Sequence, residues 1–525
     1  MITNLIPKPN GTCTKGDGFF PKGNLTTVCL GIFSRESIKA FELRTGIALT
    51  EASETDTALC LRHDETLSKE GYRLEICEKG VLISASTDSG VILALTSLYQ
   101  LEEAEGFPFI SLKDYPKYEH RGFMLDSARH FFTADVVKEI IEQNALAKLN
   151  VFHWHLTDDQ GWRIESKVFP SLHELENQPY YTQDEIREIV AFAKLRGVDV
   201  VPEIDMPGHT TSAIAAFPEL SCKGEETEIA KKAGIFPVIF CAGKESTYEF
   251  VYKLMDEVCG LFESEHFHLG GDEAPKSEWA QCEHCKAKLT SIGSDDFEVL
   301  QGYFMEQVGD YLAKKGKTVT MWNEGLHSEK RPEKTRIQHW LEHGESHTKP
   351  FIENGGKVIF SDMFHLYFDY TESFSSLKKV YGYTPAIMGE DFSAHKGCLG
   401  IEACLWSERV IEAETLYERI YPRIFALAEA AWTNERDYED FEKRLEKKLK
   451  CLDAQNIHYI SLSEANPEGE KRYANIMIFL KAFFASVEDV NKEAAQLPPD
   501  MFKNFLLGFG IDIPDEQTLK FFSKN

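Results

Sequence analysis

Between about residues 118 and 435 the chain alternates strand-like and helix-like runs, which predicts an α/β protein built on a closed (β/α)8 barrel of the TIM type. Three observations carry that expectation. Eight apolar strand candidates fall within roughly 300 residues, the usual span of such a barrel. The first four are each followed by an amphipathic run of helix length. No Gly-rich phosphate loop follows the first strand, which disfavours the alternative, a doubly wound open sheet.

In order, the barrel strand candidates are Gly122–Asp126, Asn150–Leu156, Val198–Asp205, the approach to Gly270, Thr318–Trp322, Arg336–Trp340, Lys357–Phe360 and Gly400–Trp406. Helices are expected over Asp135–Leu149, Asp184–Arg196, Glu249–Phe262, Phe297–Lys314 and Glu414–Trp432. Residues 1–115 read as a small α+β accessory domain. In it Tyr72–Ile76 and Val81–Ala85 flank Glu78-Lys79-Gly80 as a hairpin, and Gly90–Leu101 aligns Val91, Leu93, Ala94, Leu98 and Leu101 on one helical face. Lys113-Asp114-Tyr115-Pro116 reads as the linker to the barrel, 116–435. Residues 436–525 read as a helical C-terminal extension, with candidates at Tyr438–Leu452 and Lys471–Val487.

The 525 residues are 43% hydrophobic and 27% charged, enough apolar material for sizeable cores. A formal net charge of −28 argues against binding nucleic acid or an anionic membrane through the overall field. No run approaches the roughly 18 apolar residues of a membrane helix, so membrane insertion is not expected. The N-terminus lacks a basic region followed by an apolar one, so a cytoplasmic location is expected, with the 12 cysteines as reduced thiols. Cys282 and Cys285 have C-x-x-C spacing. With no second pair beside them in the sequence, a structural zinc site is not expected.

The strand candidates end in charged or aromatic residues: Asp126 and Arg129, Asp158 and Asp159, Glu203 and Asp205, Asp272 and Glu273, Trp322 and Glu324, Trp406 and Glu408. In a barrel these ends share the C-terminal rim, where active sites sit. The sharpest is Phe267-His268-Leu269-Gly270-Gly271-Asp272-Glu273. Two adjacent carboxylates repel, so one tends to keep its proton while the other stays charged. That division suits an acid catalyst beside a charge stabiliser. Read alone, such a pair is an ordinary helix start; its place on this rim favours chemistry.

Other rim residues read both ways. Arg129 could pair with a rim acid or grip sugar hydroxyls. His153 and His155 face one side of their strand. They could bind a metal with His209 and Asp272, as in a metal-dependent hydrolase, but hydrogen bonding within the barrel is the preferred reading. His209, in a Pro/Gly turn, could link Asp158 to Glu273. Trp322, Trp340 and Trp406 could wall a sugar pocket. Tyr367 could reach a substrate carbonyl.

Taken together, Arg121-Gly122-x-Met124-Leu125-Asp126-x-x-Arg129-His130-Phe131, Phe152-His153-Trp154-His155-Leu156-x-Asp158-Asp159-Gln160-Gly161-Trp162, Pro202-Glu203-Ile204-Asp205-x-Pro207-Gly208-His209, His268-Leu269-Gly270-Gly271-Asp272-Glu273 and Glu402-Ala403-x-Leu405-Trp406-x-Glu408 resemble glycoside hydrolase family 20, the β-N-acetylhexosaminidases. The resemblance spans about 115–435, and the N-terminal module fits the family's accessory domain. It implies an exo-acting, retaining enzyme on β-linked N-acetylglucosamine or N-acetylgalactosamine, with a carbohydrate substrate and neither cofactor nor metal. Glu273 would be the general acid and base, and Asp272 would orient the 2-acetamido group. That group itself attacks C1 and gives an oxazolinium ion, an exception to the two-carboxylate scheme. Tyr367 would bind the acetamido oxygen, and Trp322, Trp340 and Trp406 would enclose it. Arg129, Asp369 and Glu408 would take sugar hydroxyls, and Asp158 and His209 would stand behind the acid. Asn323 follows Trp322 where relatives often have Asp. Tyr370, Tyr381 and Tyr383 follow Asp369 without a tryptophan, leaving the outer stacking wall unassigned. A metal-dependent barrel hydrolase and a non-catalytic sugar-binding barrel are the competing readings, and a homo-oligomer is left open.

Overall fold

A computed structural model describes residues 4–342, 346–469, 471–472 and 474–476. All eight expected barrel strands form. They are His120–Asp126, Val151–His155, Asp199–Glu203, His266–His268, Thr318–Trp322, Thr335–His339, Lys357–Phe360 and Cys398–Leu405, called barrel strands 1 to 8, and they close into one parallel barrel. Closure comes from strand 8 against strand 1, with Gly400 opposite His120 and Leu405 opposite Leu125. Strand 1 is buried at every position, as a parallel strand covered on both faces must be.

Helices run over Ala134–Leu146, Gln183–Lys194, Glu245–Cys259 and Phe297–Ala313, close to their expected places. Gln183–Lys194 begins at a capping box between Thr182 and Glu185. The helix expected over Glu414–Trp432 is two, Ala413–Ile420 and Arg423–Trp432. Pro422 lies between them; it has no N–H for a helical bond and its ring clashes with the preceding turn.

The N-terminal domain is a seven-stranded sheet in the order Cys13–Phe20, Phe107–Asp114, Tyr72–Cys77, Gly80–Ala85, Leu59–His63, Thr27–Cys29 and Thr50–Glu51. Tyr72–Cys77 pairs antiparallel with Gly80–Ala85, as the hairpin reading requires. Its residues alternate buried and exposed, so one face meets the core. The helix Asp88–Leu101 supplies Val91, Ala94, Leu95 and Leu98 to that core.

The expected linker is not a free connection. Lys113 and Asp114 end the strand Phe107–Asp114, and Asp114 is fully buried. Its carboxylate accepts from Lys148 Nζ at 2.8 Å, from the Tyr72 hydroxyl at 2.8 Å and from the Trp432 indole at 2.9 Å. Lys148 and Trp432 belong to the barrel domain, so this ion pair pins the two domains together.

Beyond the barrel, Tyr438–Ala454 is helical, and the Asp437 side chain caps it by accepting from the Glu439 and Asp440 amides. Buried Arg444 donates to Glu429 Oε1 at 2.5 Å and to the Leu5 carbonyl at 2.7 Å. This helix is therefore fastened to both domains. The last expected helix, Lys471–Val487, lies largely outside the described residues.

Candidate active site

Barrel strand 4 leaves through Leu269-Gly270-Gly271 into the acid pair. Gly270 has φ +66°, and a Cβ there would lie 1.7 Å from Asp205 Oδ1. Glycine thus lets the backbone seat against that carboxylate, whose Oδ1 accepts the Gly271 amide at 3.0 Å. Glu273 has φ +44° and His209 φ +53°. For residues with a Cβ this left-handed conformation costs on the order of 1–3 kcal/mol, and such strain gathers at functional sites.

A chain of charges runs behind Glu273. His209 Nε2 lies 3.5 Å from Glu273 Oε2 and 3.9 Å from Asp272 Oδ2. His209 Nδ1 lies 3.2 Å from Asp158 Oδ1. Asp158 Oδ2 is in turn 2.8 Å from Arg129 Nη2 and 2.9 Å from His155 Nε2. Burial alone would raise the Asp158 pKa, yet the Arg129 guanidinium and the His209 imidazole hold it well below the usual carboxylate range. The same pairing overrides the lowering effect of burial on His209 and raises its pKa.

The other acids are pushed the opposite way. Burial, and then the Glu273 charge against the countervailing pull of His209, bring Asp272 up to about 6. Burial, with Asp272 and Glu273 beside it, brings Glu324 up to about 9. Glu324 Oε2 accepts the Glu273 amide at 3.2 Å. A cleft of about 310 Å3, lined among others by Glu273, Glu324, Lys276 and Gln301, opens here. Across the rim, burial and the Glu408 carboxylate bring Asp369 up to about 7.

An aromatic cluster also stands at the strand ends, and none of its rings lines that cleft. Trp322, Trp340, Tyr367 and Trp406 pack in one cluster. Trp340 stacks on Tyr367 with ring centroids 6.2 Å apart and planes 13° from parallel, and Trp322 lies 5.8 Å from Trp406. The Arg129 guanidinium sits 4.9 Å over the Trp406 ring. Tyr370 stacks on Tyr367, whereas Tyr381 and Tyr383 pack into the main core and build no outer wall.

Buried polar atoms ordinarily find partners. Among the described residues, Arg129 Nε and Nη1, Asp272 Oδ1, Trp340 Nε1 and Asp369 Oδ1 are buried and make no hydrogen bond. Four residues singled out from the sequence thus bring unsatisfied donors and acceptors to one rim.

His153 and His155 are taken up inside the barrel. His153 lies between Glu402, at 2.8 Å, and Glu203, at 3.1 Å; His155 lies between Glu203, at 2.6 Å, and Asp158. Glu203 also meets His268 at 2.9 Å and the Trp322 indole at 2.9 Å. Carboxylates thus flank each of these rings within the barrel.

Sequence reasoning passed over Glu324 as a partner of the acid pair, although it stands among the charged strand ends. It also passed over Glu203 and Glu402 as hubs of the barrel interior. Asn323, noted only as a departure, donates to the Leu341 carbonyl at 2.7 Å and accepts the Trp340 amide at 3.0 Å. An amide does both, and so sets the height of Trp340.

No helix among the described residues is long and apolar enough to cross a membrane. The model of the glycosyl hydrolase family 20 catalytic domain matches residues 118–435, and that of the family's domain 2 matches residues 3–115. A beta-hexosaminidase of Porphyromonas gingivalis is 33% identical over 519 residues, covering 87% of this chain and 64% of its own. One from Vibrio furnissii is 33% identical over 70% of this chain and 66% of its own, so the chain spans just under two thirds of either relative. The crystal structure of a beta-N-acetylhexosaminidase from Bacteroides fragilis superposes with a TM-score of 0.80 at 30% identity, over 89% of this chain and 99% of that one. An exo beta-N-acetylglucosaminidase from Vibrio harveyi, in complex with N-acetylglucosamine, superposes with a TM-score of 0.78 at 30% identity, over 88% and 79%. The rim geometry, the two-domain match and these likenesses agree: the chain belongs to glycosyl hydrolase family 20.

Proposed function

We propose that the chain is an exo-acting β-N-acetylhexosaminidase that removes terminal β-linked N-acetylglucosamine or N-acetylgalactosamine with retention, using the substrate's own acetamido group as nucleophile. The observation that carries this is the Asp272–Glu273 pair, backed by His209 and Asp158 and facing unsatisfied donors beside an aromatic wall.

Glu273 protonates the glycosidic oxygen and later draws a proton from water. Asp272, ionised above about 6, orients the acetamido N–H and offsets the charge that develops as its carbonyl oxygen bonds to C1. Tyr367 donates to that carbonyl oxygen; burial keeps its phenol protonated by raising its pKa. Trp322, Trp340 and Trp406 enclose the acetamido methyl. Arg129, Asp369 and Glu408 hold sugar hydroxyls and admit only a chain end. His209 and Asp158 keep Glu273 placed and share its charge.

A carbohydrate substrate follows from the family; a cytoplasmic setting belongs to the same proposal. The deciding experiment compares aryl β-N-acetylglucosaminide with aryl β-glucoside. The expected outcome is turnover of the first alone, since the second lacks the nucleophile. Equal hydrolysis of both overturns the assisted mechanism, and no hydrolysis of either favours a sugar-binding barrel.

A further inference from the structure

The fold brings the Cys282/Cys285 pair together with two cysteines that lie far from it in the sequence. Cys222 and Cys241 lie after barrel strand 3; Cys282 and Cys285 lie after strand 4. Their Sγ atoms all lie within 4.8 Å of one another. The separations are 3.7 Å for Cys222–Cys285, 3.8 Å for Cys241–Cys282 and 3.5 Å for Cys241–Cys285. Four thiolates around zinc, each about 2.3 Å from the metal in a tetrahedron, would stand about 3.8 Å apart. Near-equal spacing shared among more than two sulfurs is the metal pattern; a disulfide would single out pairs at about 2.05 Å.

The surrounding backbone is built to hold this shape. Ser221 and Phe240 form an antiparallel bridge, and the Cys241 amide donates to the Leu220 carbonyl at 2.8 Å, so the Cys222 and Cys241 segments run side by side. Lys244 Nζ ties them again through the Ser221 carbonyl at 2.5 Å. Gly243 touches the third segment: a Cβ there would lie 2.2 Å from the His284 carbonyl carbon and 2.3 Å from the Cys285 nitrogen. The Trp279 indole donates to the Phe240 carbonyl at 2.9 Å. Cys282 is the cap of the helix Glu283–Ser291, and Cys285 lies in its first turn. Cys241, Cys282 and Cys285 are buried.

We propose that Cys222, Cys241, Cys282 and Cys285 bind one zinc-class divalent cation as a structural, four-thiolate site. The metal departs from the sequence expectation, and it is remote from hydrolysis in chemistry. Binding displaces the four thiol protons, and no position is left open for water, so the ion takes no part in a reaction. Its effect is mechanical. The loop after strand 3 carries His209, and the Phe240 amide donates back to the Pro207 carbonyl at 3.0 Å. The loop after strand 4 carries Asp272 and Glu273. One ion clamps the two segments whose spacing sets the His209–Glu273 contact.

The test is elemental analysis of the full chain, expressed with added zinc and purified under reductant, together with X-ray absorption at the zinc edge. The expected result is one zinc per chain in an all-sulfur shell. Cys241→Ser and Cys285→Ser should lose the ion and melt at lower temperature. Should those variants fail to fold, titrating the intact protein with an organomercurial serves instead, and zinc should appear on a chromogenic chelator in step with thiol modification. Absence of zinc, a shell containing nitrogen or oxygen ligands, or an intact mass showing disulfides among these four would each overturn the proposal. None of these readouts depends on the hydrolase reading.

Discussion

The Nε2 of His209 lies 3.5 Å from Glu273 Oε2, while its Nδ1 meets Asp158. On the proposed reading the imidazole acts on the acid from behind rather than on the substrate. His209→Phe should lower kcat by less than the roughly 10²–10⁴-fold that direct proton transfer is worth, with KM little changed. It should also move the pH–rate profile. A fall in activity with an unmoved profile would assign the histidine to folding alone.

Glu273→Gln removes the proton donor but keeps the shape. The loss should depend on the leaving group. A phenol of low pKa departs without protonation, so its substrates should retain most of the first step. Alkoxide-like sugar leaving groups should lose roughly 10²–10⁴-fold. Equal losses across a series of aryl and alkyl N-acetylglucosaminides would remove Glu273 from the acid role.

Asp272 makes a prediction about stability as well as rate. Its pKa is raised from 3.8 to about 6 by burial. A carboxyl that holds its proton more tightly when folded favours folding while protonated. That contribution is present below 3.8 and disappears as pH rises through about 6. Asp272→Asn, neutral throughout, should abolish assisted turnover yet raise the midpoint of denaturation above pH 7, a gain on the order of 1–3 kcal/mol. The gain should fade at pH 4. Wild-type kcat should likewise decline below about pH 6 as Asp272 protonates. An active Asp272→Asn enzyme would refute the role.

Much of this site was legible because its residues sit at strand ends, where apolar alternation stops abruptly. Asp272, Glu273, Trp322 and Trp406 announce themselves in that way, at or just beyond the ends of strands 4, 5 and 8. What escaped is non-local. Cys222 and Cys241 carry no spacing signal, since their partners are contributed by another loop. Asp114 looked like a linker residue because nothing in its neighbourhood reveals Lys148 or Trp432. The break at Pro422 was readable in principle; the apolar period on both sides masked it.

The domain pin can be tested directly. Asp114 and Lys148 are fully buried, with 2.8 Å between them. Lys148→Met leaves the carboxylate uncompensated and should cost about 3–5 kcal/mol. The double variant Lys148→Met/Asp114→Asn should recover part of that loss in chemical denaturation. Additive losses would show that the two residues do not act as a pair.

Asn323 bridges the Trp340 amide and the Leu341 carbonyl. Asn323→Ala leaves both backbone groups unsatisfied, at a cost of about 1–3 kcal/mol. Because Trp340 then loses its height, KM should rise more than kcat falls. An unchanged KM for N-acetyl substrates would detach Trp340 from the pocket.

The indole of Trp322 is tethered to Glu203, the same carboxylate that meets His155 and His268 in the barrel interior. Trp340 has no such tether at Nε1 among the described residues. The two tryptophans therefore differ in how freely they can be exchanged. If the proposed acetamido pocket holds, evolution toward bulkier N-acyl groups has more freedom at position 340, whereas trimming position 322 removes the indole donor from a buried carboxylate that three histidines also hold.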